Sequence, residues 1–254
     1  MREYPRAQKY DKSWVEQNWM GPHPLWLLED LCEHMDLRPG MKVLDLGCGR
    51  GITSVFLARE YGVYVFATDL WISATDNLAR FEEAGVADKV FPMHAQAHAL
   101  PYAKGFFDAA IALDSYHYFG ASETYFPDIF SKLVKHGGQF GIVVPGLSQE
   151  FEKGYPQTLE KFWLPELFSF HSKGWWRNLW EKTGIAEITA CYDIENPKNI
   201  WESWAKWAKA NIQNEFKGLL DSDDAGLNFD DYEFLKADTN HDLRLIALTA
   251  RKIK

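Results

Sequence analysis

The 254-residue sequence is short of several things at once. It has three cysteines, Cys32, Cys48 and Cys191, in a spacing that matches no zinc or redox motif. The odd count is against a disulfide framework, and a reducing compartment fits, so the expected localisation is cytoplasmic. It has no basic surplus: Lys plus Arg number 27 against 36 for Asp plus Glu, a formal net charge of -9. A surface that tracks phosphates needs the opposite balance, which argues against nucleic acid as a partner. No apolar run approaches the roughly 20 residues of a membrane span. The opening MREYPRAQKYDK lacks the apolar core of a secretory signal. There is no internal repeat and no low-complexity linker. Aromatic rings, by contrast, make up 15% of the chain, with 11 Trp. Many stand in the C-terminal half, where they either fill a core or wall a ligand cavity.

From residue 24 to 145 the pattern alternates between helix and strand. Apolar residues at helical spacing predict a helix over 24–37, broken by Arg38-Pro39-Gly40. KVLDL (42–46) is a short apolar run before Gly47 and reads as a buried strand. A helix over 51–61, a strand over 63–70 and a helix over 72–84 follow. Strands are expected at 89–94, 106–114 and 139–145, with a helix at 122–136 stopped by Gly137-Gly138 and carrying His136 at its C-terminus. Beyond Pro145 the rhythm changes. Residues 148–171 are loop-rich and aromatic. A helix (171–184), a strand (185–193), a long helix (199–220), an acidic loop (221–242) and a last strand (244–251) complete the chain. Trp201 and Trp204 share one face of the long helix, the spacing of core residues. Alternation of this kind builds right-handed βαβ crossovers and a mostly parallel sheet covered on both faces. Ligands of such sheets sit outside the carboxyl ends of the strands. That rule selects 45–51, 69–71, 94–100, 114–117 and 145–147.

The strongest local signal is Asp45-Leu46-Gly47-Cys48-Gly49-Arg50-Gly51, where a strand runs through a glycine-rich turn into a helix. Glycines let the backbone approach a ligand closely. The helix start offers free N–H groups to a carboxylate or phosphate. The dinucleotide pattern G-x-G-x-x-G would require glycine where Ile52 stands. The turn is instead G-x-G-x-G with an acid two residues upstream. In this it resembles the class I S-adenosylmethionine-dependent methyltransferases, whose first motif Asp45 to Gly51 matches in full.

The resemblance covers 20–147 and implies a Rossmann-like, doubly wound α/β fold: a seven-stranded, mostly parallel sheet with an aromatic-rich cap insertion. It implies S-adenosylmethionine as cofactor, held by Asp45, Gly47, Cys48, Gly49 and Gly51. Asp69, ending the second strand, would hold both ribose hydroxyls, with Leu70 and Trp71 packed on the adenine. The stretch 94–119 is similar to the family's gDa-x-x-LP-F segment. Aligning on Leu100-Pro101 puts Gln96 where the family has an acid near the adenine amino group, and Ala97 would offer its backbone N–H to the ring. Gly138-Gln139-Phe140 and WEKTG (180–184) also look like the small-molecule branch, which includes quinone and sarcosine methyltransferases and cyclopropane synthase-like enzymes. The implied function is methyl transfer to a small molecule. Two alternatives stay open: the same fold acting on a macromolecule, and a NAD- or S-adenosylmethionine-binding protein that transfers no methyl group. The acidic charge and Asp114-Ser115-Tyr116-His117, standing where a macromolecular enzyme would carry an Asn-Pro-Pro-Tyr type motif, count against the first. The methyl acceptor, the atom methylated and the oligomeric state stay open.

A base is needed only if the acceptor arrives protonated. The candidates after the fourth strand are Asp114, Tyr116 and His117, with His117 having the ordinary pKa best suited to neutral pH. Residues 1–23 form an N-terminal arm or lid; Tyr10, Asp11, Trp19 and His23 either fold over the site or pack a terminal arm. Residues 24–254 form the catalytic domain, with 148–171 and 199–240 as cap insertions that choose the substrate. Trp175, Trp176 and Trp180 fall near the expected cavity mouth, where rings suit a flat, apolar or cationic acceptor. No metal is expected. His94 and His98 have no acid or cysteine cluster beside them. DSDDAGLNFDDYE (221–233) has Ala225 and Tyr232 at calcium-ligand positions and reads as a solvated acidic loop. Cys48 fills a small apolar slot and is no nucleophile.

Overall fold

The computed structural model describes residues 2–215 and 231–254. A 3-10 turn (Ala7–Lys9) and helix α1 (Lys12–Gln17) form the N-terminal arm, followed by α2 (Pro24–Cys32). Then come β1 (Lys42–Leu46), α3 (Ile52–Tyr61), β2 (Tyr64–Asp69), α4 (Ala74–Glu83), β3 (Val90–His94) and β4 (Phe107–Leu113). A single turn α5 (His117–Gly120), a π-helical turn (Phe126–Phe130) and α6 (Ser131–Leu133) lead to β5 (Val134–Leu147). Two 3-10 turns (Gln157–Phe162 and Pro165–Ser169) precede α7 (Lys173–Glu181), β6 (Ala186–Asp193), α8 (Pro197–Glu215), α9 (Asp231–Ala237) and β7 (Leu243–Lys252). Among the described residues no helix is long and apolar enough to cross a membrane.

One seven-stranded sheet runs β3-β2-β1-β4-β5-β7-β6. The first five strands are parallel, and β7 lies antiparallel between β5 and β6. This is the doubly wound order the alternation implies. Successive side chains on a strand face opposite sides, so each central strand feeds two cores. Val43, Val65, Ala109, Ile111 and Val143 pack beneath α2 and α3. Leu44, Leu46, Ala110, Ala112, Ile142 and Val144 join Phe126, Phe130, Trp176 and Trp180 on the other face. Burial on both sides explains why these strands read as unbroken apolar runs rather than alternating ones.

Three sequence expectations are corrected here. The helix expected to 136 ends at Leu133, and β5 begins at Val134, opposite Phe107, before a register shift to the Ala109–Gln139 pair. His136 is therefore on a strand, its Nε2 3.2 Å from the Ile253 carbonyl, rather than at a helix end. The pairing of Val134 with β4 outweighs the helical periodicity. The acidic loop expected over 221–242 contains helix α9; the part over 221–230, with most of the calcium-like segment, lies outside the described residues. Finally, Trp176 and Trp180 do not approach a cavity. Both are fully buried, and Trp180 stacks on Phe126 with ring centroids 4.2 Å apart. Trp175 stacks instead on His171, at 3.7 Å. Trp201 and Trp204 are buried core residues, as their helical spacing implies.

Truncating Trp180→Ala removes a ring from a fully packed layer and is expected to cost about 3–5 kcal/mol. A urea unfolding midpoint unchanged from wild type would contradict this assignment.

Candidate functional site

The carboxyl ends of β1, β2 and β4 converge on one crevice, and the turn leaving β1 forms its floor. Gly47 and Gly49 have φ of +75° and +54°, conformations that L side chains rarely adopt. A Cβ on Gly47 would run into the Ser115 side chain, and one on Gly49 would come within 3.0 Å of Met20 Sδ. The Gly47 N–H donates to the Thr68 carbonyl at 2.7 Å, pinning the turn to β2. Helix α3 then starts at Ile52 with no side-chain cap. Its first N–H groups have no intrahelical partner, which makes the helix start an anion site.

Asp69 closes the other side of the turn. Its Oδ2 accepts the Gly49 N–H at 2.8 Å. Its Oδ1 accepts the Trp71 and Ile72 N–H groups at 2.8 and 3.0 Å. An ionised carboxylate has about four lone-pair positions. Three are taken, so one remains, on Oδ2, for a ligand hydroxyl. The expectation that Asp69 receives two ribose hydroxyls is reduced to one by this count.

The arm roofs the crevice. Met20, Gly21 and Pro22 line it together with Pro24 and Leu27 of α2. The arm is tied down at several points. The Arg6 and Ala7 N–H groups donate to the Glu29 carboxylate at 3.0 and 2.8 Å, and Arg2 meets Asp30 at 2.6 Å. Arg50 of the glycine turn donates to the Gln17 carbonyl at 2.7 Å. A Cβ on Gly21 would strike the Asp114 carboxylate, so the roof touches the end of β4 here. Asp114 itself has φ +50°, the left-handed region that costs a non-glycine residue on the order of 1 kcal/mol. Its N–H donates to the Val143 carbonyl at 2.8 Å.

The crevice wall thus brings together Gly47, Cys48, Gly49, Asp69, Leu70, Trp71, Ala97 and Asp114 from the sequence candidates. Cys48 is buried there, and burial pushes its thiol well above the ordinary range. Five candidates stand off the wall. Gly51 backs the turn against the Phe81 ring. Asp45 is buried, its Oδ2 accepting from the Thr53 and Ser54 hydroxyls at 2.6 Å each, so it ties β1 to α3. Burial raises its carboxyl to about 6. Gln96 is exposed to solvent, outside the crevice. Tyr116 is fully buried in the opposite core, its ring against Phe130 and Trp180. His117 is buried between Tyr118 and Phe170, at ring distances of 4.0 and 5.7 Å. Burial lowers its imidazole to about 3, and no protein group bonds its Nδ1. An imidazole held so low is a poor proton acceptor at neutral pH. Tyr116 and His117 are therefore corrected as bases, and Asp114 alone of the three reaches the wall.

Of the arm residues singled out in the sequence, Asp11 caps α1 and Tyr10 packs on Phe56. Trp19 and His23 are packed, His23 stacking on Trp26 at 4.1 Å; burial lowers its imidazole to about 4. His94 Nε2 lies 2.7 Å from the Leu70 carbonyl. Sequence reasoning missed Tyr118 and Phe119 on the wall, and it singled out neither Met20–Pro22 within the arm nor Ser115 within 114–117. The Met-Gly-Pro turn just before Pro24 was the available signal for the roof.

Residues 43–138 match the family model described as "Methyltransferase domain". The sterol 24-C-methyltransferase of Yarrowia lipolytica (strain CLIB 122 / E 150) is 27% identical over 128 residues, 50% of this chain and 33% of that protein. The methyltransferase GfsG of Streptomyces halstedii is 36% identical over 90 residues, 35% of this chain and 32% of that one. The matches span about a third of these curated relatives' own length. In structure, a phosphoethanolamine N-methyltransferase 2 of Haemonchus contortus, solved with S-adenosylhomocysteine, gives a TM-score of 0.71 at 17% identity, covering 95% of this chain and 56% of that one. The [4+2]-cyclase SpnF gives 0.68 at 21% identity, over 89% and 80%.

The raised carboxyl of Asp45 sets a pH dependence. An unfolded Asp ionises near 3.9, the folded one near 6. The folded state binds the proton more tightly, so this contribution to stability is complete below about pH 4 and lost as pH rises through 6. Asp45→Asn fixes the neutral form. Between pH 4 and 7 the variant should gain on wild type by an amount on the order of 3 kcal/mol. Denaturant midpoints that run parallel over that range would contradict it.

Proposed function

With a class I, S-adenosylmethionine-dependent methyltransferase domain in this chain, we propose that it transfers a methyl group to a small-molecule acceptor in the crevice under the arm. One juxtaposition carries the reading: the glycine turn, the uncapped start of α3 and the single open acceptor position of Asp69 lie on one wall. The residues present fit the cofactor. The α3 N–H groups suit its amino-acid carboxylate. Asp69 Oδ2 suits one ribose hydroxyl, and Leu70, Trp71 and Ala97 flank the space for its base. When bound, the cofactor supplies a methyl group activated on a positive sulfur, taken up by the acceptor in an in-line displacement.

The chain's own work is positioning. Bringing two reactants into line can supply about 7–11 kcal/mol of the barrier, and the roof of Met20, Gly21 and Pro22 encloses that alignment. Asp114 is the residue that takes the proton of an acceptor arriving as O–H or N–H. Its strained backbone holds the carboxylate at the edge of β4, and strain of this kind collects at working sites. Residues 1–23 act as the lid of this site, while 148–171 and 199–240 choose the acceptor. The sterol and phosphoethanolamine methyltransferases among the similar proteins support a small molecule rather than a macromolecule. Three free cysteines support the cytoplasm as the compartment.

Calorimetry should show S-adenosylhomocysteine binding and no binding of NADH. Asp69→Asn should weaken that binding at least tenfold, because it removes the charge and replaces one carboxylate oxygen by an NH2 donor, leaving a single acceptor oxygen for three backbone N–H groups and the ligand. Gly21→Ala should impair turnover more than cofactor affinity by displacing Asp114. Binding of NADH alone, or an unchanged dissociation constant for the Asp69 variant, would refute the reading.

A further inference from the structure

Asn77 and Phe81 are the buried residues of α4. They stand four apart on one face of the helix, behind the glycine turn, and neither lines the crevice. Each meets one glycine. The Phe81 ring fills the space that a side chain at Gly51 would need. The Asn77 Nδ2 donates to the Gly49 carbonyl at 2.9 Å and lies 3.8 Å from Cys48 Sγ. The Arg80 guanidinium completes the arrangement, donating to Asn77 Oδ1 at 3.1 Å.

An amide is an expensive occupant for this position. Asn77 is 1% exposed, and buried polar atoms cost free energy unless each finds a partner. Asparagine is also a weaker helix former than leucine, an apolar residue of similar size. What the amide supplies is direction. A carbonyl only accepts and a guanidinium only donates, so the amide has one setting, nitrogen toward Gly49 and oxygen toward Arg80. Turned over, it would set oxygen against oxygen and NH2 against a cation.

The consequence falls on the peptide between Gly49 and Arg50. The C=O and N–H of a trans peptide point in opposite directions. With its carbonyl turned back to α4, this peptide directs the Arg50 N–H away from α4, to the side on which Gly49 and Arg50 line the crevice. The Gly49 N–H, one peptide earlier, goes to Asp69 Oδ2 at 2.8 Å. Gly49 is thus held at both ends, its N–H from β2 and its carbonyl from α4. Glycine passes between left- and right-handed conformations with little cost, so at φ +54° nothing of its own fixes the turn. A flipped peptide would put the negative end of a carbonyl beside the start of α3, where an anion is attracted.

We infer that Asn77 is a positioning residue for the amino-acid tail of the cofactor. Acting through Gly49, it keeps the N–H of the 49–50 peptide on the crevice side and the wall receptive to the tail carboxylate. Arg80 positions Asn77 in turn. The inference rests on the cofactor reading above and adds to it a residue outside the crevice.

The test is calorimetry on the full-length protein with two nucleosides. S-adenosylhomocysteine carries the tail; 5′-methylthioadenosine shares the adenine, ribose and sulfur and lacks it. Asn77→Leu keeps the volume and removes the donor. It should weaken S-adenosylhomocysteine binding about tenfold, the scale of one lost hydrogen bond, and leave 5′-methylthioadenosine binding unchanged. Arg80→Met, at the partly exposed end of the relay, should weaken S-adenosylhomocysteine binding about threefold, again without effect on the shorter nucleoside. Equal weakening of both nucleosides would overturn the proposal, since a merely structural amide would disturb both. So would S-adenosylhomocysteine affinity unchanged in Asn77→Leu or, should that variant fail to fold, in Arg80→Met. Wild-type protein that binds neither nucleoside would instead refute the cofactor reading, so the two failures are distinguishable.

Discussion

The carboxylate of Asp69 is the knot of the site. One oxygen holds the turn that leaves β1, through Gly49, and the other holds the chain that leaves β2, through Trp71 and Ile72. Neighbouring strand ends are thereby fixed relative to one another by charge-assisted hydrogen bonds, which are about twice as strong as neutral ones. The glycine turn cannot relax without losing this acceptor, and the start of α3 stays aimed at the crevice. A buried charge is tolerated here because three donors replace its hydration. Structure and recognition therefore share one group, and the acceptor position left over on Oδ2 is what a ligand hydroxyl can use.

The sheet was legible because its central strands are buried on both faces. KVLDL and FFDAAIALD leave little room for another assignment, and the glycines between β1 and α3 mark where the chain must turn. Side-chain direction was less legible at β4. Four consecutive residues, Asp114 to His117, follow the strand, and no periodicity says which of them faces the crevice. The backbone resolves it. Asp114 turns into the left-handed region, Tyr116 just before α5 enters the far core, and Tyr118 on α5 arrives at the wall. Gln96 failed for a related reason. It was placed by alignment on Leu100-Pro101, whereas the loop after β3 directs its alanine neighbours, Ala95 and Ala97, inward.

The abundance of rings divides along the same line. Trp176 and Trp180 close one face of the sheet, where a π-helical turn and α6 bring Phe126 and Phe130 against them. Trp201, Trp204 and Trp19 cement α8 to the arm on the other face. Among the described residues only a minority of rings is exposed: Trp71 and Tyr118 on the crevice wall, Phe168 on the segment after β5, and Tyr64 and Phe91 at the amino ends of β2 and β3. Composition alone could not separate core from ligand surface, because both favour large flat side chains. Position at the carboxyl edge of the sheet is what sets Trp71 and Tyr118 apart from the core rings.

The most direct measurement of the central claim is a crystal structure of the protein grown with S-adenosylhomocysteine. The account predicts the amino-acid carboxylate at the N-terminus of α3 and one ribose hydroxyl on Asp69 Oδ2, with the three backbone bonds to Asp69 kept. A nucleoside bound elsewhere, or a crevice that stays empty at saturating ligand, would contradict it.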